Sequence, residues 1–166
     1  MGAVGKGACL GALVAGALVA AACDTPVACP AIGSPPGVSV DVRPPDAERA
    51  ASASLRVCWD GACTTSEVAL RPSAAAVPMG CGGDGPDAVC GASASPDGGM
   101  TGFAQVEGLP EAPVEVEFAL LDDGGDAVLA RRVRATPEAT RPGGPECGEG
   151  GPQARLVVAG GRVTAG

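Results

Sequence analysis

The chain contains no histidine and no tyrosine, and its 166 residues include only two phenylalanines and one tryptophan. Without histidine it lacks the commonest general base, the serine and cysteine triads built on imidazole, and the usual ligand of transition metals. With so few aromatics, the core must be assembled from small pieces, chiefly Val, Leu and Ala. Burying a Val or Leu stabilises by roughly 1.5–3 kcal/mol and an Ala by much less. The 27 glycines and 16 prolines leave a narrow stability margin, which covalent cross-links commonly offset in small domains. Lysine is nearly absent too: Lys6 is the only one, and beyond it ten Arg stand against nineteen Asp and Glu, a net charge of −9. That balance disfavours nucleic acid and anionic lipid headgroups as partners.

What is present begins with an export signal. Lys6 precedes a run of sixteen uncharged, mostly apolar residues, Gly7 to Ala22, before the first acidic residue, Asp24. A basic n-region followed by a short h-region is the pattern of a secretory signal peptide, and the Gly-rich run falls short of the ~20 apolar residues of a membrane span. Residues 1–22 are therefore expected to be a lipoprotein signal peptide. The small residues Val19-Ala20-Ala21-Ala22 place Cys23 where a lipobox cysteine receives diacylglycerol. Ala20 stands where leucine is usual, so an ordinary A-x-A cleavage site and a freely secreted protein is the competing reading.

Cysteine parity favours the lipid anchor. Cys9 leaves with the signal, and seven cysteines follow: Cys23, Cys29, Cys58, Cys63, Cys81, Cys90 and Cys147. If Cys23 carries lipid, the other six can form three disulfides, as expected in an oxidising compartment. The chain is thus expected at the outer face of the cytoplasmic membrane, held there by lipid on Cys23.

Residues 23–37 hold four prolines and no periodicity, and read as a tether. Residues 38–166 read as the folded domain. Val38, Val40 and Val42 alternate with polar residues in the period-two pattern of a half-buried strand. Asp60-Gly61 is a type I′ turn signal, and that two-residue loop places Cys58 opposite Cys63, where a cross-strand disulfide is geometrically plausible. A second hairpin, Val114 to Arg134, has Gly124-Gly125 as its expected loop. Its register sets Leu120 against Leu129, Val116 against Val133, Glu117 against Arg132 and Glu115 against Arg134, with Phe118 against Arg131 as the misfit.

Residues 71–101 read as a long Gly-, Pro-, Ala- and Ser-rich loop stapled by Cys81 and Cys90, which leaves Cys29 for Cys147. Phe103–Val106 and Leu156–Val158 read as further short strands. The resulting fold class is all-β, a disulfide-stapled, immunoglobulin-like antiparallel sandwich of about seven short strands.

Ala28-Cys-Pro-Ala-Ile-Gly33 after a lipobox, the Cys58–Cys63 hairpin, the Asp123-Gly-Gly-Asp126 hairpin and Gly143-Gly-Pro-Glu-Cys-Gly148 resemble a group of small actinobacterial lipoproteins. The similarity spans most of the chain beyond the signal, and its motifs imply a lipid-anchored β-domain without implying an activity. The group tends to carry a second cysteine shortly after the one in the Pro-Gly-Cys loop. Here Gly148 to Gly151 contain none.

No catalytic residues, metal site or cofactor are expected. Cys58-x4-Cys63 lacks the companion ligands of a zinc site. Asp122, Asp123 and Asp126, or Asp84 and Asp87, could supply calcium oxygens, but Asp beside Gly is also how tight turns are built. Glu115 and Glu117 read as a salt-bridged sheet face rather than a glycosidase pair. Arg131, Arg132 and Arg134 form a basic group that an anion site would need, but they read as the cross-strand partners of Glu115 and Glu117. Trp59 at a turn is the candidate binding residue, toward an envelope protein or glycan. The expected function is that of a non-catalytic binding or structural module. The competing expectation is a secreted protease inhibitor that presents the Cys81–Cys90 loop, with Val77-Pro-Met-Gly-Cys81 entering the protease cleft.

Overall fold

The computed structural model describes residues 28–83 and 85–166, so the signal peptide and Cys23 lie outside the described residues. The described chain is all-β, with two sheets and three disulfides. Its ten strands are β1 (Gly37–Val42), β2 (Ser52–Trp59), β3 (Ala62–Ala69), β4 (Arg71–Gly82), β5 (Val89–Gln105), β6 (Val114–Leu121), β7 (Ala127–Ala135), β8 (Glu138–Ala139), β9 (Pro152–Ala159) and β10 (Arg162–Ala165). A single 3-10 turn, Asp46–Arg49, joins β1 to β2.

One sheet runs β3-β2-β6-β7; the other runs β10-β9-β1-β5-β4, with β8 beside β9. Most pairs are antiparallel, but β1 and β9 run parallel, with Val40 opposite Leu156. The larger sheet curls as a half-barrel. Both sheets turn one face to a common core. Val38, Val40 and Val42 of β1 and Leu156 and Val158 of β9 meet Leu55 and Val57 of β2 and Val116, Phe118 and Leu120 of β6, all buried. The alternation in each of these strands is what sends one set of side chains inward. Phe118 is the only aromatic among the fully buried side chains, so the core is made of branched aliphatics, as the composition requires.

The β2–β3 hairpin has the expected register, with Cys58 opposite Cys63 and Trp59 opposite Ala62. Asp60 and Gly61 take φ of 47° and 77°, the two positive values of a type I′ turn. The β6–β7 register is also as expected from Glu115 opposite Arg134 to Leu120 opposite Leu129. The loop is not the expected two-residue one. A register shift after Leu120 sets Leu121 against Ala127, and only Gly125 of the two glycines has positive φ. The cause is Asp122, whose carboxylate accepts from the backbone N–H of Gly124 and of Asp126, both at 2.9 Å, and so winds a longer turn.

Two further corrections concern strand count. The segment 71–101 is not a loop: β4 and β5 pair from Arg71 opposite Thr101 out to Gly82 opposite Val89. Both faces of this ribbon's outer part are in solvent, so it carries no burial alternation that periodicity could detect. The other omissions are the two-residue β8 and also β10, which folds back on β9 through Gly160-Gly161, with φ of 57° and 72°. Ten strands replace the expected seven.

Candidate functional site

The longest strands of the fold project beyond it. From Met100 to Gln105, β5 pairs with β1, but from Val89 to Pro96 its only partner among the described residues is β4. Residues 74–83 and 89–98 are exposed, including Val77, Met79 and Val89, the last two at 73% and 79% of full exposure. This two-stranded arm reaches roughly 30 Å beyond its root at ~3.3 Å per residue. An isolated two-stranded ribbon is marginally stable in water. Here Cys81 and Cys90 sit directly opposite one another near the tip and are bonded. Pro78 and Pro96 lie on its outer edges and remove donors that would otherwise template strand addition.

At the root of the arm the sheet is irregular. Between Pro72–Met100 and Ala74–Pro96 the register shifts, and Asp97-Gly98-Gly99 bulges out opposite Ser73. The Asp97 carboxylate accepts from the Ser73 hydroxyl at 2.6 Å and from the Gly99 N–H at 2.9 Å. These hydrogen bonds, Ser73 first, hold the Asp97 carboxyl below the ordinary carboxylate range, with Arg43 adding a smaller coulombic contribution. The bulge and the end of β1 together wall a cleft of about 470 Å³, lined among others by Arg43, Arg71 and Arg155. Asp41 in the same cleft pairs with Arg155 and accepts from the Thr101 hydroxyl at 3.1 Å.

Trp59 is half-buried and packs against the core beside the Asp60-Gly61 turn, so it is not a free-standing aromatic at a loop tip. The arginine group divides three ways. Arg132 pairs with Glu117 and, at 3.4 Å, with Glu115, while Glu117 also pairs with Arg56 at 3.2 Å. Arg56 first and Arg132 second hold the Glu117 carboxyl below its ordinary range. Arg131 lies on the core-facing side opposite Phe118, but on an edge strand. The residue is exposed, and its guanidinium donates to the Ala130 carbonyl at 2.7 Å and to the Gly161 carbonyl at 3.2 Å. The misfit of the sequence register is thereby a bridge between the two sheets. Arg134 has no carboxylate partner among the described residues.

All six cysteines of the described residues are bonded, as Cys29–Cys147, Cys58–Cys63 and Cys81–Cys90. The first of these fastens the segment read as a tether. Past the bridge, the Ser34 carbonyl accepts from Gly151 N–H at 2.7 Å, the Pro35 carbonyl accepts from Gln153 Nε2 at 2.8 Å, and the Ser34 hydroxyl lies 2.6 Å from Thr140 Oγ1. Asp122 serves its turn, and Asp84 lies outside the described residues. No protein-family model, curated protein or solved structure matches this chain. The geometry alone therefore carries the functional reading. What it offers is an exposed ribbon with apolar side chains near its tip, above a polar cleft.

Neither the arm nor the cleft is apparent in the sequence. The arm's one signal was the Cys81–Cys90 pair, which implies two backbone segments side by side. The cleft had none, since Arg43, Arg71, Asp97 and Arg155 are far apart in the chain.

Proposed function

We propose that the chain is a non-catalytic binding module of the cell envelope, held at the outer face of the cytoplasmic membrane by a lipid on Cys23, that engages an envelope protein or glycan through the β4–β5 arm. The observation that carries this reading is the exposure of Val77, Met79 and Val89 on a disulfide-closed ribbon whose outer part is in solvent on both faces among the described residues. Apolar side chains held out on a covalently braced frame lose little conformational freedom on binding. The disulfides support an oxidising, extracytoplasmic setting. The kinship with small actinobacterial lipoproteins and the immunoglobulin-like description of the two sheets belong to the same proposal. The latter is supported by a single core shared between mainly antiparallel sheets.

The test is a photo-crosslinking amino acid at position 79, expressed in the native envelope and read by intact mass. The expected result is a discrete adduct at 79 that is absent when the probe sits at Arg162. The uncrosslinked protein should have the mass of residues 23–166 plus a diacylglyceryl group, with six thiols alkylated only after reduction. Identical labelling at both positions would remove the arm as the binding element, and a lipid-free mass with a seventh thiol would remove the anchor.

The second reading, a secreted protease inhibitor, is favoured by the exposure of Val77-Pro78-Met79-Gly80 beside the Cys81–Cys90 bridge. It predicts stoichiometric inhibition of at least one protease in a panel of differing specificities. Absence of inhibition across the panel would dismiss it.

A further inference from the structure

The disposition of the arginines points to a second site. Arg49, Arg56, Arg132, Arg141 and Arg155 each pair with a carboxylate, and Arg131 bonds to carbonyls. Arg43, Arg71, Arg134 and Arg162 have no ion-pair partner among the described residues, and of these Arg43 and Arg71 line one cleft, at the root of the arm. The two carboxylates of that cleft are already engaged. Asp41 is held by Arg155 and Thr101, and Asp97 by the Ser73 hydroxyl and the Gly99 N–H, with Arg43 acting on Asp97 only from beyond ion-pair distance.

We propose that this cleft binds a small phosphate-type oxyanion, a phosphomonoester, between the guanidinium groups of Arg43 and Arg71. Each guanidinium offers a planar fork of donors matched to phosphate oxygens, and two of them balance a dianion where a single carboxylate would leave one charge over. Both backbones are fixed. Arg43 N–H donates to the Val158 carbonyl at 2.9 Å, Arg71 is paired with Thr101 in the sheet, and each arginine directly precedes a proline, which restricts its own backbone. The cleft, at about 470 Å³, exceeds a bare phosphate and falls in the range of small-molecule sites. Pro44, Pro72 and Met100 supply wall for the carbon portion of the ligand. A net charge of −9 repels an extended anionic surface, whereas the cleft's own lining, with Arg43, Arg71 and Arg155 against Asp41 and Asp97, carries one net positive charge.

The probes are inorganic phosphate, glucose 6-phosphate and glucose, titrated at low salt into the mature protein and followed by calorimetry and amide chemical shifts. Saturable binding of glucose 6-phosphate near one equivalent is expected, with weaker binding of inorganic phosphate and none of glucose. R43Q and R71Q should each weaken it about tenfold or more, the loss of a charge-assisted hydrogen bond. R134Q, which removes an exposed arginine from the other sheet, should leave binding unchanged. Both cleft arginines are exposed, so unaltered urea midpoints should accompany the losses. Absence of saturation up to about 10 mM probe, an affinity too weak to specify a site, would overturn the proposal. Equal weakening in R134Q would do the same, because it would reduce the effect to net charge. A failure here leaves the arm's crosslinking result untouched, and the reverse holds too.

Discussion

Removing the Cys29–Cys147 bridge by the double change C29A/C147A should cost about 2 kcal/mol of stability rather than the much larger figure that its loop suggests. The bridge spans a sequence separation of 118. Chain entropy for a loop of that length, assigned wholly to the unfolded state, gives about 4.9 kcal/mol. That estimate assumes the folded state gains nothing when the bridge is cut. Here it gains something, because the nearest fixed points are Ser34 and Gly151, joined by the hydrogen bond that the Gly151 N–H donates to the Ser34 carbonyl at 2.7 Å. With the bridge gone, the short stretches from 29 to 34 and from 147 to 151 are freed, so in the folded state the disulfide closes a ring of only about 9 residues. The difference between closing the long loop and the short ring is (3/2)RT times the logarithm of their ratio, about 2 kcal/mol. For a domain of this size that corresponds to a fall in melting temperature of about 7 °C. Urea titration followed through Trp59, the only tryptophan and half-buried against the core, gives the measurement directly. A loss near 5 kcal/mol would refute the argument, by showing that Ser34 to Pro36 do not hold their places without the bridge. A loss below about 0.5 kcal/mol would refute it from the other side, since the bridge would then barely restrict the unfolded chain.

The tip bridge should behave oppositely. In C81A/C90A the global urea midpoint should stay within about 0.5 kcal/mol of the parent, because the arm lies outside the cooperative core, while proteolytic cleavage between residues 74 and 98 becomes markedly faster. A global loss near the full chain-entropy value for its separation of 9, about 2.6 kcal/mol, would show that the arm folds as part of that core. The third expectation concerns Glu117, whose folded-state pKa is lowered by Arg56 and then Arg132. A depressed carboxylate contributes stability above its unfolded value, and that contribution is lost as pH falls through the folded one. The stability gap between the parent and E117Q should therefore be open at pH 7 and close as the solution is acidified below the ordinary carboxylate range. A gap that persists unchanged at low pH would assign Glu117's effect to packing instead of charge.

How much of this was readable beforehand depends on burial. The hairpin at Asp60-Gly61 is legible from its turn residues, and the register from Glu115–Arg134 to Leu120–Leu129 because one face of β6 is buried while Glu115 and Glu117 on the other meet arginines, so a slip of one residue would break both. Gly160-Gly161 between Val158 and Val163 carried the same turn signal, but the strand after it is only four residues long. The Asp122 turn was misjudged because a side chain, not the two glycines, decides its length. The cleft could not be seen at all. Arg43, Arg71 and Arg155 meet only because β1 lies between β9 and β5, and β5 brings β4 beside it.

The arm went unread for a more general reason. Alternation in a strand records which residues are hidden, so a ribbon with both faces in water leaves no trace of itself in the hydrophobic pattern. Ala75 and Ala76 are small and exposed, and they pair across the ribbon with the equally small and exposed Ser95 and Ala94. Holding such a ribbon out by a covalent staple costs conformational entropy that no burial within this domain returns. The segment that periodicity missed is therefore the one whose contacts within the chain do not account for its structure. A surface supplied from outside would account for it, and position 79 is where that surface should be sought.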